Sequence, residues 1–547
     1  MNKKVVALFF FSLCHFPVVA QNNVSQLIKE QKNNDNTVRQ QSRITKKDIF
    51  STVGNKKTGK IAFPDETLCF RIKKIIINND FLEKSAAGKL KKNIEGRCLG
   101  KRGVIKLAHN IQDGFINTGY ITTRVDIPPQ DLSTGVLTLN ILPGRIETIT
   151  IENNSVARVI LPFAEEDILN VRDIEQGLEN LQRTPGTEVK INIEPGERDG
   201  YSRVIIYSNR QQKWNFRASA NNWGDKSTGK NLASVSGYVW NLAHLNDIFY
   251  LSGTRSVSGG YNSISSYYSF PLGYWEYEFF YSYSASHQKI DLDTLNPDYS
   301  GKNHYASVKA SRTIYRDRDK KITAFMEVLR RKSDYQLGDI TLTLQKRDMS
   351  NARLGINYKQ NYAAAMLNST LAYQRFTRGA GGDLSPDMAA GDVSSRSQLL
   401  SLDINYLKPL EYRALQGFYE LNVGMQYTPE ALVLQDQFSI GNRWSVRGFE
   451  NSTGLYGDKG FYLQNTLNIL TGLSGAEYYC GLDYGEAAMS HSFQQQNKTQ
   501  RLMGATTGLK GSVKSLGYDL SLSVPLLSPA QLQTDKFTIN VNLFYQL

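Results

Sequence analysis

Between Phe537 and Leu547 apolar and polar side chains alternate almost without a fault. Phe537, Ile539, Val541, Leu543, Tyr545 and Leu547 take the odd positions, and Thr538, Asn540, Asn542 and Gln546 lie between them; only Phe544 breaks the rule. A period of two marks a strand, because successive side chains leave it on opposite faces. The same texture returns at Trp275, Tyr277, Phe279, Tyr281 and Tyr283, at Leu400, Leu402, Ile404 and Tyr406, at Tyr419, Leu421, Val423, Met425 and Tyr427, and at Tyr518, Leu520, Leu522 and Val524. Helical periodicity disappears beyond Gln211. A strand of this kind either packs its apolar face on a second sheet or turns it to lipid while the polar face lines water.

The barrel is the better fit. Lipid tolerates no unpaired sheet edge, and closure removes it. The 337 residues from 211 to 547, taken at about 21 per strand with its connection, predict a roughly 16-stranded antiparallel transmembrane β-barrel. A ring of that size leaves a lumen its own strand side chains cannot fill, so something has to plug it. The tight connections at Pro271-Leu-Gly-Tyr274 and Arg316-Asp-Arg-Asp319 suit the periplasmic end, and the Gly-, Ser- and Asp-rich stretch from Arg378 to Gln398 suits a long outer loop. The segment 441–460 is also a connection but is not simply polar.

Upstream the pattern is different. Residues 1–20 read as a secretory signal, with Lys3 and Lys4 ahead of the apolar run Val5 to Leu13 and a small residue at Ala20. Residues 21–66 combine a helix candidate, Val24 to Gln31, with a polar linker. Residues 67–144 predict a module of order β-α-α-β-β: a strand from Phe70 to Ile77, helices over Phe81 to Ile94 and Gly103 to Gly119, and strands over Tyr120 to Asp126 and Val136 to Leu142. Val104, Leu107, Ala108, Ile111 and Phe115 recur at helical spacing. Residues 145–210 repeat the plan, with a short helix over Val156 to Phe163, a clear one over Val171 to Leu181, and strands around Ile146 to Ile151, Val189 to Ile193 and Arg203 to Tyr207. Two copies of one small unit in tandem form an internal repeat. Cys69 and Cys98, 29 residues apart in one exported module, are expected to pair; Cys480, among strand residues, is expected to stay free.

Composition narrows the classes further. A mean hydropathy of −0.40, with no run of eighteen apolar residues after the first twenty, excludes a bundle of membrane helices. The net charge of +13 is spread along the chain rather than clustered, which argues against nucleic acid. No set of Cys and His has metal-ligand spacing, no phosphate-binding loop occurs, and no G-x-S-x-G elbow marks a hydrolase, so neither cofactor nor metal is expected.

One connection carries a motif. It reads Gly441-Asn-Arg-Trp-Ser-Val446-Arg447-Gly448-Phe449-Glu450, and Gly481-Leu-Asp483-Tyr-Gly485 follows on a strand. Val446-Arg447-Gly448-Phe449 resembles the VRGF/Y tip of the large inward-folded loop of two-partner-secretion transporters, the outer-membrane barrels with periplasmic POTRA domains. Gly481-Leu-Asp483-Tyr-Gly485 resembles the family strand whose Asp meets the loop Arg. Cys69-Phe-Arg-Ile, Arg97-Cys98-Leu-Gly and Leu142-Pro-Gly-Arg-Ile resemble the first POTRA domain, and Asn170-Val-Arg-Asp-Ile-Glu with Ile193-Glu-Pro-Gly the second. The resemblance spans Cys69 to Leu547.

It implies an outer-membrane transporter whose POTRA domains receive one large exoprotein through its N-terminal secretion domain and whose pore exports it unfolded; outer-membrane lipids and the barrel assembly machinery are further implied partners. Its nearest textures are haemolysin activators, filamentous-haemagglutinin transporters and contact-dependent-inhibition transporters, so export with and without activation of the cargo both stand open. An Arg447–Asp483 latch holding the loop in the lumen, with Val446, Gly448, Phe449 and Gly485 around it, is the implied site, and Val24 to Gln31 matches a lumen plug by position. The family's terminal aromatic residue is replaced by Leu547. The rival readings are an insertase for other barrels, which carries more POTRA modules than the two that fit here, and a barrel enzyme.

Overall fold

The computed structural model describes residues 62–79, 81, 94–152, 156–290, 296–413, 415–450, 453–472, 475–489 and 499–547. The expected signal, the 24–31 helix and nearly all of the 81–94 helix lie outside them.

Sixteen long strands form one closed antiparallel ring. They are β1 (Trp214–Asn221), β2 (Leu232–Trp240), β3 (Ile248–Ser256), β4 (Tyr261–Leu272), β5 (Trp275–Lys289), β6 (Asp298–Arg316), β7 (Lys320–Leu337) and β8 (Arg347–Tyr362), then β9 (Ala365–Phe376), β10 (Leu399–Tyr412), β11 (Leu415–Tyr427), β12 (Lys459–Leu470), β13 (Ala476–Ala488), β14 (Gln500–Val513), β15 (Leu516–Leu527) and β16 (Thr538–Gln546). β16 pairs with β1 from Asn542↔Asn221 to Gln546↔Arg217 and closes the ring. Every neighbour is the next strand in sequence, as hairpin connections require. Turns of two or three residues at 273–274, 317–319, 363–364 and 514–515 lie at the end that carries the N-terminal modules, and the long connections 377–398 and 428–458 at the other.

The predicted alternation is realised. Ile539, Leu543 and Tyr545 of β16, Leu520 and Leu522 of β15, and Val308, Met326, Leu354 and Leu371 on β6 to β9 are exposed on the outside of the ring. Phe270, Trp275, Tyr277 and Phe279 stack along the outer surface beside the 273–274 turn, and Arg312 lies over Trp275, an arrangement suited to a membrane interface. Phe544, the break in the pattern, faces inward. Its ring covers Gly517 on β15, where a Cβ would come within 2.1 Å of it, and the Arg217 guanidinium sits 3.7 Å from its centroid. The irregular residue thus fills the hollow left by a glycine and stacks on a cation. Free Cys480 sits half-buried on β13. The disappearance of helices beyond Gln211 has one described α-helical exception, Pro386–Ala390 in the 377–398 connection.

The first module is the sheet Lys74–Asn78, Val136–Leu142, Arg124–Asp126 covered by helix α1 (Lys101–Asn117). Val104, Leu107, Ala108, Ile111 and Phe115 face its core as their spacing predicts. Its first strand is interrupted. Phe70–Arg71 pairs with Cys98–Leu99, and Lys74–Asn78 with Val136–Leu142, so the chain changes partner at fully buried Ile72. The strand expected from Tyr120 begins only at Arg124, because Tyr120 to Thr123 form a turn; Tyr120 packs on Phe81 and Phe115, and Ile121 enters the core of the second module. A disulfide joins Cys69 and Cys98. The Glu66 carboxylate accepts from the backbone N–H of Gly100, Arg102 and Gly103, at 3.0, 2.8 and 2.9 Å, and so caps α1 from a distant segment.

The second module is the sheet Arg145–Glu152, Tyr201–Arg210, Thr187–Pro195 with helix α2 (Val171–Gln182). Of the helix expected over 156–163 only a 3₁₀ turn, Arg158–Ile160, forms, since Leu161 and Phe163 are spent filling the core. One side of α2 packs Ile174 and Leu181 into that core. The other side is polar and is docked on the barrel. Arg316 at the end of β6 is held by Glu179 at 2.8 Å, Gln176 at 3.0 Å and Glu175 at 3.5 Å, and its side chain is 2% exposed. Lys321 binds Glu179, Tyr274 binds Asp173, and Asn180 donates to the Gly273 carbonyl at 2.7 Å. Arg183 reaches Glu276 at 2.7 Å, and Asn246 donates to the carbonyls of Asn180 and Leu181, capping the helix end from the barrel. Burial pushes the Asp173 carboxyl up, and the Tyr274 hydroxyl pulls it only partly back.

Two outcomes are expected. Arg316→Ala removes the central cation from a dry junction and leaves Glu175 only Arg172 and Glu179 only Lys321, at a cost of up to about 3–5 kcal/mol; amide exchange in α2 should accelerate while that of β11 and β12 stays unchanged. At Glu66, partial burial raises the carboxyl, but the donated N–H groups of Arg102, Gly103 and Gly100 outweigh it and hold the group below the usual range. Its folded value is therefore the lower one, and its contribution is complete above about pH 4.3 and fades as pH falls through the folded value. Protection of the first turn of α1, measured against the intrinsic exchange rate at each pH, should fall on acidification over that window in the wild type, and Glu66→Gln should remove that pH dependence.

Candidate functional site

The connection 428–458 does not project outward. It folds into the lumen, where Phe438–Ile440 pairs with Leu455–Gly457 as a small hairpin. Ile440, Val446, Phe449 and Leu455 meet Ala487 of β13 and Leu502 of β14 in one apolar cluster, with Phe438 and Tyr462 packed against it. Val446 is fully buried and Phe449 nearly so. The loop carries its own small core into a water-lined cavity, which is why its sequence is not simply polar.

Arg447 and Asp483 are brought together. Arg447 Nε donates to Asp483 Oδ2 at 2.7 Å and Nη2 to Oδ1 at 2.8 Å, a bidentate fork, and the Arg447 backbone N–H adds a third bond to Oδ2 at 3.0 Å. Nη2 also donates to the Asn465 carbonyl and the Thr466 hydroxyl of β12, at 2.9 and 3.0 Å. Asp483 is fully buried and the Arg447 side chain 15% exposed. Only arginine supplies this planar set of donors; lysine would present one point charge.

Glycines make the floor on which the tip lies. Gly481, Asp483 and Gly485 share the inward face of β13 by the two-residue period, so the carboxylate stands between two bare positions. A Cβ at Gly481 would lie 2.3 Å from Arg447 Nη2, and one at Gly485 2.9 Å from a Val446 methyl. On β14 a Cβ at Gly504 would lie 1.8 Å from the Arg447 carbonyl oxygen. Gly448 has φ +106°, and a Cβ there would press into the Val524 carbonyl at 2.6 Å, so the motif glycine is demanded by both conformation and space. Beyond the tip, Glu450 bridges Lys226 at 2.7 Å and Lys230 at 2.9 Å on the β1–β2 connection. Arg443 stacks on Trp223 and Trp444.

All six expected residues, Val446, Arg447, Gly448, Phe449, Asp483 and Gly485, thus converge. Gly504, Glu450 and Arg443 were missed by sequence reading. The latter two lie inside the quoted motif; Gly504 carries no local signal, because the loop that needs it is more than fifty residues away. A cleft of about 710 Å³ on the first module, lined by Leu68, Phe70, Val104, Ile105 and Leu132, is a separate surface feature. Among the described residues no cluster of His, Cys, Asp and Glu could hold a metal ion.

Residues 200–511 match the family described as haemolysin secretion/activation protein ShlB/FhaC/HecB, residues 70–144 the ShlB-type POTRA domain, and residues 145–195 a POTRA domain. The chain is 30% identical over 463 residues to the outer membrane transporter CdiB-2 of Burkholderia pseudomallei (strain 1026b), covering 82% of this chain and 79% of that one. It is 29% identical over 485 residues to the outer membrane transporter CdiB of Dickeya dadantii (strain 3937), covering 86% and 85%. CdiB from Escherichia coli shares the fold, with a TM-score of 0.81 at 24% identity over 96% of this chain and 98% of that one.

Gly504→Ala is expected to lift the loop tip from β14 and break the Arg447–Asp483 fork, at about 3–5 kcal/mol. Faster amide exchange at Val446 to Phe449, in a barrel that still migrates as a folded band on unheated gels, is the measurement.

Proposed function

Because the chain belongs to the ShlB/FhaC/HecB family, transporters of two-partner secretion in the outer membrane, we propose that it exports one large exoprotein, unfolded, through the barrel, and that the Arg447–Asp483 fork is the latch of that pore. The observation that carries this reading is a buried, bidentate ion pair on the tip of a loop that lies inside the lumen. A polypeptide cannot share the space with the docked loop, so the loop has to yield during export, and a discrete ion pair on bare glycines is a contact that can part and re-form as one unit. The two POTRA modules receive the partner's N-terminal secretion domain; the apolar cleft beside Phe70 and Ile105 supports the first of them as a landing surface for an extended segment. Relatives with CdiB names favour a contact-dependent-inhibition type of cargo over a haemolysin. Outer-membrane lipids surround the apolar belt, and the barrel assembly machinery inserts it. The mechanism so read uses no cofactor and makes or breaks no covalent bond.

Arg447→Ala is expected to abolish release of the cognate exoprotein into the medium, with the barrel assembled in normal amount. Arg447→Lys should recover little, because one ammonium cannot form the fork. Normal secretion by Arg447→Ala would remove the latch from the mechanism.

A further inference from the structure

The root of the inward loop holds a second buried carboxylate, and it belongs to a different wall. Asp436 is fully buried. Arg331 Nη1 of β7 donates to its Oδ1 at 2.8 Å, and Gln374 Nε2 of β9 to the same oxygen at 2.9 Å. The Ser397 hydroxyl donates to Oδ2 at 2.8 Å and Asn351 Nδ2 of β8 at 3.2 Å. The Asp436 carbonyl is taken as well, by Gln426 Nε2 at 2.8 Å. All four side chains around the carboxylate are themselves buried, Arg331 at 4% and Gln374 at 6% exposure. One anion therefore ties together three consecutive strands and the 377–398 connection.

That cluster is remote from the tip. Arg331 stands on β7 and Asp483 on β13, more than a third of the way round a ring of sixteen. Eleven positions of the same loop separate Asp436 from Arg447. Beside the Glu450 contacts with Lys226 and Lys230, two buried ion pairs of opposite polarity hold the loop on two walls. At the tip the loop gives the cation and the wall the anion; at the root the loop gives the anion and the wall the cation.

We propose that Asp436 is a positioning residue for export: with Arg331, Asn351, Gln374 and Ser397 it forms a root anchor that keeps the loop across the resting lumen as a strut fastened at both ends. Release of the tip alone then leaves the loop tethered to the β7–β9 wall, so that it swings about its root and returns. The inference deepens the latch reading and rests on it for its bearing on secretion. Nothing in the tip motif specifies it, since Asp436 lies outside the segment 441–460 and its partners are spread over strands with no motif of their own.

The test uses the full-length protein with Asp436→Asn, Arg331→Gln and their combination, beside Arg447→Ala. Removing one member of a buried pair should shift the ratio of docked to undocked root by roughly a hundredfold to a few thousandfold. Amide exchange from Leu434 to Ile440 should accelerate accordingly in either single variant. The double variant should be little worse than either, because both remove one contact. In planar bilayers the resting conductance should rise in each, and should rise further when Asp436→Asn is combined with Arg447→Ala. Unchanged root exchange in assembled variants would overturn the proposal. So would a lower unfolding temperature with wild-type conductance, which is what a merely stabilising contact would give. Should Asp436→Asn fail to assemble, Gln374→Ala with Ser397→Ala, which removes two neutral donors and leaves the ion pair, decides the matter by the same readouts. Failure of Arg447→Ala to stop secretion would touch only the tip latch, because root exchange is read independently of it.

Discussion

A hydrocarbon layer offers no partner to a peptide group, and that constraint organises the whole molecule. Each backbone N–H and C=O of a spanning strand has to be satisfied sideways, so the sheet closes. Sixteen strands close it into a ring too wide to fill with its own side chains. The emptiness has to be managed by another part of the chain, and the 428–458 connection is recruited inward to do so. Once a loop sits in a wet lumen, weak apolar contact alone holds it poorly. Paired, dehydrated charges supply the fixed geometry, and glycines on the wall supply the room for them.

The two ends of the barrel solve different problems with similar chemistry. At the lumen, Asp436 and Asp483 fasten a loop. At the module end, Glu175, Glu179, Arg316 and Lys321 fasten a domain. In both places arginine is the central cation; the partners of Arg447 come from two neighbouring strands, those of Arg316 from the single helix α2. The apolar cores of the two modules are built separately. They are joined where Ile121 enters the second core and where the Gly119 carbonyl accepts the Val171 N–H at 2.8 Å.

Much of this was legible in the chain because it is periodic or local. Strand alternation predicted the ring and its outer face, and the spacing of Val104, Leu107, Ile111 and Phe115 predicted α1. The tip residues were legible because four consecutive letters keep their order in a recognisable motif. What escaped reading was contact between distant segments. Nothing near Glu66 says that it caps a helix beginning at Lys101. The polar side of α2 reads as a solvated face until the barrel turns are laid against it. Tyr120 to Thr123 has strand-forming residues, but its side chains are claimed by two cores and the backbone turns. Asp436, in a stretch without pattern, is defined only by the four groups that converge on it.

One strand joins the two fastening systems. Lys321, at the foot of β7, binds Glu179 of the second module, and Arg331, higher on the same strand, binds Asp436. The ten steps of backbone from one to the other are paired on both sides, with a single bulge in β6 between Thr313 and Tyr315, and span roughly 33 Å of nearly inextensible sheet. The second module and the root of the inward loop are thereby mounted on a common rod, and their separation cannot drift when either one is loaded.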